Sequence, residues 1–215
     1  MRRLPEVKRA FDLAVTIPAF VLSLPIQLCV GVAVRTKLGS PVLFRQERPG
    51  LHGVPFTLIK FRTMLPADSV NGLVSDENRL TKFGAFLRST SLDELPTLWN
   101  IVRGEMSLVG PRPLLMSYLE RYSPEQARRH EVRPGLTGLA QVSGRNAITW
   151  EQKFSYDVQY VDENNLIMDL QIILRTVIGV IKREGISADG SATMHEFLGT
   201  PTNDIQVPTS EIRDK

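Results

Sequence analysis

The chain has 215 residues, 42% of them apolar and 23% charged, a globular composition that excludes a disordered or fibrous chain. One cysteine, Cys29, and three scattered histidines exclude an intramolecular disulfide and a Cys/His zinc centre. Residues 1–64 hold ten Lys/Arg against three Asp/Glu, and residues 65–215 sixteen against twenty. The basic excess flanks greasy sequence and lacks aromatic stacking surfaces, which points to a lipid bilayer as partner and not to nucleic acid.

From Leu13 to Val34 no residue is charged. As a helix this run is about 33 Å long, enough to cross a bilayer core. A cleaved signal peptide fits poorly, because the run is too long and no A-x-A site follows. A buried soluble helix this uniformly apolar needs a larger core around it. Arg2, Arg3, Lys8 and Arg9 precede the run, and Arg35 and Lys37 follow it. A straight span would leave one basic cluster outside, against the positive-inside tendency. Pro25 lies near the middle, where its missing N–H and its ring favour a break, and Ser23 is placed to partner freed backbone groups. Two topologies stay open on these grounds: a re-entrant helix bending near Pro25, and a kinked single span.

Pro41–Gln46 and Phe56–Met64 read as a β-hairpin turned through Arg48-Pro49-Gly50 and Gly53. Residues 66–78 read as a loop, Leu80–Leu87 as a short helix, and Ser89–Ser91 as a helix start. Pro111, Pro113, Pro134, Gly135, Gly138 and Gly144 mark a long region expected to be largely loop. From Trp150 to Arg183 a helical pattern returns, with Leu166, Leu170, Ile173, Leu174, Val177 and Ile181 forming an apolar stripe. That stripe reads first as plain core, with membrane-interface surface as the alternative. The expected fold is α+β and mainly helical. It comprises a membrane helix with basic flanks over residues 1–38, a loop-rich main domain over 39–199 and a mobile polar tail over 200–215.

The densest chemical constellation runs from Arg88 to Asn100 and contains Asp93-Glu94. Ser91-x-x-Glu94 has the form of a capping box, so both acids fit a helix N-terminus. A carboxylate held ionised there also suits a nucleophile or a magnesium ligand, and both readings stay open. In Gly110-Pro111-Arg112-Pro113 two prolines restrict the backbone around an arginine, lowering the entropy lost when it grips an anion. A guanidinium offers phosphate a bidentate contact. Arg133-Pro-Gly-Leu-Thr-Gly138 and Gly144-Arg145-Asn146 repeat the theme of an arginine beside a tight turn. Together these loops suggest a phosphorylated ligand, although none matches a P-loop or a dinucleotide fingerprint.

In order, the segments Lys8-Arg9-x-Phe11-Asp12, Arg48-Pro-Gly50, Lys60-Phe-Arg-Thr-Met64, Arg88-Ser-x-Ser-Leu-Asp-Glu-Leu95 and Asn100-x-x-x-Gly104-x-Met106-Ser-Leu-Val-Gly-Pro-Arg-Pro113 resemble the monotopic phosphoglycosyl transferases, or bacterial sugar transferases. Arg133-Pro-Gly-Leu-Thr-Gly138, Ala140-Gln141-Val142 and Gly144-Arg-Asn146 extend the likeness to about residues 7–190. The resemblance implies a re-entrant membrane helix and interfacial helices. It also implies an enzyme of the bacterial inner membrane, facing the cytoplasm. Such an enzyme moves a sugar 1-phosphate from a UDP-sugar to a polyprenyl phosphate such as undecaprenyl phosphate, releasing UMP. The likeness is greatest to members acting on UDP-N,N′-diacetylbacillosamine in protein glycosylation. It further implies Mg²⁺ as cofactor, with Asp93 as nucleophile and Glu94 as metal ligand or proton handler. Arg88, Pro111, Arg112, Pro113, Gln141 and Arg145 fall on expected substrate-binding positions. The family's adjacent Ser-Pro at the bend is absent, since Leu24 separates Ser23 from Pro25.

Overall fold

The computed structural model describes residues 4–70, 73–144, 148–182 and 196–199. The chain opens with α1 (Leu4–Leu38), which carries Pro18 and Pro25 inside it and is helical throughout. The break expected at Pro25 does not interrupt it. Pro25 supplies no N–H to the carbonyl of Val21, four residues back. Ser23 does not bond that carbonyl, because a serine hydroxyl reaches oxygens three or four residues behind it and Val21 lies only two behind. Its Oγ donates instead to Phe20 O at 2.8 Å and accepts from Gln27 Nε2 at 2.9 Å.

Both ends of α1 are fastened to the same body. Near the start, Lys8 Nζ lies 2.6 Å from Asp169 Oδ2, and Arg9 donates to Ile101 O and Val102 O at 2.6 and 2.9 Å. Asp12, almost wholly buried, accepts from Ser107 Oγ at 2.8 Å and from the Leu108 N–H at 3.2 Å. Near the end, Val30, Val34 and Leu38 form a cluster with Phe61 and Leu87. Between the ends the opposite face is bare: Leu22 is 77% and Leu28 70% exposed. Among the described residues α1 is the one helix long and apolar enough to cross a membrane.

The hairpin pairs β1 (Leu43–Pro49) with β2 (Pro55–Phe61), Leu43 opposite Phe61 and Pro49 opposite Pro55. Alternation puts Phe56 and Leu58 in the core and leaves Thr57 and Ile59 on the other face. The expected loop over 66–78 holds a short α2 (Asp76–Arg79). It is followed by α3 (Lys82–Ser89), whose N-cap Thr81 accepts from the Gly84 N–H. The expected helix start at Ser89–Ser91 is not formed. Ser91 takes a left-handed conformation (φ 56°) and a 3₁₀ turn, Leu92–Glu94, leads into α4 (Thr97–Arg103).

The region expected to be loop carries a parallel pair, β3 (Ser107–Val109) with β4 (Gly135–Thr137), separated by short α5 (Pro124–Ala127). The strands come so close that a Cβ on Gly135 would sit 2.1 Å from the Gly110 nitrogen, which explains the glycine there. Short α6 (Leu139–Val142) follows, then α7 (Trp150–Glu163), whose start is a full capping box of Thr149 and Gln152. In α8 (Leu166–Lys182) the buried residues are Asp169 and Ile172, while Leu170, Leu174, Val177 and Ile181 are exposed. The apolar stripe is therefore surface and not core. The architecture is mainly helical with a small hairpin. Its main core joins β2, α4, β3, Tyr160 of α7 and Ile172 of α8.

Candidate active site

The Asp93-Glu94 pair sits on the 3₁₀ turn between α3 and α4, and the capping box read from Ser91-x-x-Glu94 does not exist. Ser91 makes no side-chain cap. The Glu94 carboxylate turns away from its own backbone. Its Oε1 lies 2.5 Å from Lys60 Nζ and 3.2 Å from Arg112 Nη2. Burial alone would raise Glu94, but Lys60 and Arg112 outweigh it and hold the carboxyl well below its usual range.

Asp93 is in the opposite condition. It is 8% exposed. Among the described residues neither of its oxygens accepts a hydrogen bond, and Glu94 Oε2 is likewise unengaged. Burial, and next the charge of Glu94, push the Asp93 carboxyl up, with Lys60, Arg88 and Arg112 pulling it back. Two adjacent carboxyl groups thus have separate environments. One is clamped and ionised; the other is buried, unpaired and more basic, which suits a nucleophile.

The Pro-Arg-Pro turn is held by all three of its carbonyls. Pro111 O accepts from the Gly135 N–H at 3.0 Å, Arg112 O from Arg129 Nη2 at 2.7 Å, and Pro113 O from Arg48 Nη1 at 3.4 Å. Pro111 and Pro113 are buried while Arg112 is exposed, so a rigid turn presents an exposed guanidinium against Glu94. Arg129 is itself buried, paired with Asp157 Oδ2 at 2.7 Å and lying over the Tyr122 and Phe154 rings. Burial pushes Arg48 down to about 10, and the neighbouring Arg112 adds to this. The crowding of cations marks a place that favours an anion.

Of the residues expected at the site, Asp93, Glu94 and Arg112 come together. Arg88 stands near them, its Nε donating to Thr63 Oγ1 at 3.1 Å and its charge acting on Asp93. Gln141 donates to Leu136 O at 3.0 Å, its buried Oε1 has no partner, and no contact joins it to the dyad. Arg145 lies outside the described residues. Sequence reasoning missed Lys60, Arg48, Arg129 and Asp157 as site residues. Lys60 had a signal: it continues the inward register of Phe56 and Leu58, and a lysine on the buried face of a strand needs an anionic partner. Arg129 and Asp157 lie 28 residues apart and carry no motif.

The donor set fits a magnesium ion in one respect. Asp93 and Glu94 Oε2 offer carboxylate oxygens without hydrogen-bond partners among the described residues, on one 3₁₀ turn. Among the described residues no third Asp, Glu, His or Cys joins them. Mg²⁺ accepts one or two carboxylates when phosphate and water complete its octahedron.

Comparison with known proteins agrees with this geometry. Residues 3–183 match the family described as Bacterial sugar transferase. The chain is 53% identical over 195 residues to the uncharacterized sugar transferase EpsL of Bacillus subtilis, covering 90% of this chain and 96% of that one. It is 41% identical to the UDP-glucose:undecaprenyl-phosphate glucose-1-phosphate transferase of Caulobacter vibrioides, covering 79% of this chain and 68% of that protein. It is 40% identical to the UDP-galactose-lipid carrier transferase of Erwinia amylovora, covering 83% of this chain but 41% of that longer protein. A family match over nearly the whole chain, with an acid dyad and a rigid arginine turn brought together, shows that this protein belongs to the bacterial sugar transferases.

Proposed function

We propose that the protein transfers a sugar 1-phosphate from a UDP-sugar to a polyprenyl phosphate, releasing UMP, in two steps through Asp93. The observation that carries this reading is the Asp93 carboxylate, buried and unbonded beside a Glu94 clamped by Lys60 and Arg112. In the first step an Asp93 oxygen attacks the phosphorus that bears the sugar, and the bond from that phosphorus to the bridging oxygen breaks. UMP leaves with the oxygen and its electron pair. In the second step an oxygen of the polyprenyl phosphate attacks the same phosphorus and Asp93 departs. Splitting the transfer lets one site serve both anionic substrates in turn.

Arg112, exposed and resting on Glu94, would meet the pyrophosphate from an anchored backbone, which makes that contact preorganised. Lys60 keeps Glu94 ionised and oriented. Asp93 and Glu94 would hold Mg²⁺, whose charge would offset the repulsion between carboxylate and pyrophosphate.

The membrane placement is part of the same proposal. α1 enters the inner membrane and returns to its cytoplasmic face. A straight helix of this length spans about 52 Å, and fastening of both ends to the catalytic body supports a re-entrant course. The exposed α8 stripe supports an interfacial helix. For the donor, UDP-N,N′-diacetylbacillosamine, with a role in protein glycosylation, follows from the sequence likeness. Relatives named for glucose and galactose put those UDP-sugars in the same panel.

The test is UMP exchange. Purified protein given a UDP-sugar and no lipid phosphate is expected to incorporate labelled UMP into the UDP-sugar. It should release up to one UMP per active site in a burst. Asp93→Asn nearly preserves shape and should abolish both signals. Exchange at the wild-type rate in that variant would replace the covalent route with direct attack by lipid phosphate.

A further inference from the structure

Beneath the middle of α1 lies a cleft of about 700 Å³, within the size range of ligand sites. Its walls come from α1, α4, β1 and β2. Phe20 of α1 faces Trp99 of α4 at a ring distance of 5.7 Å, and Ile59 and Phe61 project from the outer face of β2. Arg45 of β1, opposite Ile59, and Arg103 at the end of α4 also line it. The dyad side chains are not among its lining residues; Lys60, which holds Glu94, sits on the opposite face of β2 from Ile59.

Among the described residues neither arginine bonds a main-chain carbonyl. An arginine in the last turn of a helix ordinarily satisfies the terminal carbonyls. Here Arg9 already takes Ile101 O and Val102 O, and Arg133 Nε takes Gly104 O at 2.9 Å. Arg103 points elsewhere, pairing at 3.1 Å with Glu105 while 55% exposed. Arg45 is exposed and makes no ion pair or hydrogen bond among the described residues. An apolar cleft is thus lined by two guanidinium groups, of which Arg103 is paired with Glu105 and Arg45 has no anionic partner among the described residues.

The geometry points to a resident anionic phospholipid, its phosphate on Arg45 and Arg103 and an acyl chain along Phe20, Ile59, Phe61 and Trp99. The polyprenyl phosphate acceptor fits this cleft poorly. α4 leads away from the dyad, and Arg103 lies seven residues beyond Pro96, about 10 Å along the helix. An acceptor with its phosphate at Asp93 would lay hydrocarbon against the arginines. A phospholipid puts charge on the arginines and hydrocarbon on the apolar walls, and Trp99, 43% exposed, is a residue type favoured at lipid interfaces. The inference rests on the membrane placement of α1 proposed above.

Trp99 reports on its own neighbourhood, being one of two tryptophans in the chain. The full chain is reconstituted in phosphatidylcholine vesicles, floated, and its tryptophan fluorescence measured with brominated acyl chains on either phosphatidylglycerol or phosphatidylcholine. Brominated phosphatidylglycerol is expected to quench preferentially, by about five-fold in apparent affinity for each arginine engaged. Trp99→Phe should remove the preferential part, and Arg45→Gln with Arg103→Gln should equalise the two lipids while leaving UMP exchange intact. Failure to float overturns the membrane placement and the lipid site together. Flotation with equal quenching by both lipids, or a preference that survives the double variant, overturns the lipid site alone. Displacement of the quencher by equimolar polyprenyl phosphate would give the cleft to the acceptor instead.

Discussion

Arg129 Nη2 donates at 2.7 Å to the main-chain oxygen of Arg112, and the same nitrogen lies 2.7 Å from Asp157 Oδ2. A buried ion pair therefore fixes the backbone from which the exposed Arg112 reaches. Removing one partner of such a pair costs about 3–5 kcal/mol, so Arg129→Ala should unfold easily. Arg129→Lys keeps the charge but cannot reach both acceptors in the same plane. It should retain most thermal stability and lose about 10-fold in kcat, because small misplacements of a positioned group are costly. An unchanged kcat in a stable Lys variant would make the pair merely structural.

Arg112→Lys tests the guanidinium itself. The charge stays, the planar fork goes, and kcat/KM should fall on the order of 10²-fold, about 3 kcal/mol. Steady-state kinetics with saturating lipid acceptor measure this, and wild-type kinetics in the variant would reduce Arg112 to a solvated turn residue.

Glu94→Gln separates the two roles open to that carboxylate. As a metal ligand its loss should be partly eased by raising Mg²⁺; as a proton handler it should not. The comparison is a magnesium titration of UMP exchange in the variant and the wild type.

Membrane course is tested with Arg2→Cys in a Cys29→Ser background, which leaves one thiol. A re-entrant α1 predicts no labelling by an impermeant reagent in intact cells and full labelling after lysis. Pro25→Leu should favour a straight span and increase labelling from outside. Labelling of the Pro25 parent in intact cells would reject the re-entrant course.

His130 gives a pH signature. Burial, and next the charge of Arg129, lower it from 6.5 to about 4, with a main-chain contact at Gly50 opposing. The folded value lies below the unfolded one, so between these limits the unfolded chain binds more protons. This contribution to stability is complete above pH 6.5 and lost as pH falls toward 4. Melting curves of wild type and His130→Gln in detergent should therefore diverge across that window, with the variant flatter.

Ser91 is left-handed without being glycine, a conformation costing about 1–2 kcal/mol. Ser91→Gly should melt no lower than wild type, and Ser91→Val should melt lower, since a β-branched side chain tolerates the region least. Equal melting of the two would remove strain from the account of the dyad turn.

Much of this was legible where one residue type has one physical use. The uncharged run forming α1 and the hairpin read directly from hydropathy and turn residues. The dyad was visible but its context was not: Ser91-x-x-Glu94 has capping spacing, and only the Lys60 and Arg112 contacts show that Glu94 turns elsewhere. The β3–β4 pair escaped because three-residue strands carry no periodicity, and glycine there serves backbone approach. The stripe on α8 was counted correctly, but spacing alone does not say whether an apolar face meets protein or lipid.

The fastening of α1 bears on how the protein is made. Lys8 finds Asp169 across 161 residues, and Asp12 finds Ser107 across 95. Both partners are made well after the hydrophobic segment. During synthesis the early segment holds its charged side chains unpaired, and closing such long loops is slow. The helix is thus secured in stages, its end on Phe61 and Leu87 and its start on Ser107 and then Asp169. A chain stopped before α8 lacks the Asp169 that pairs with Lys8, so the seat of α1 is complete only once α8 is made.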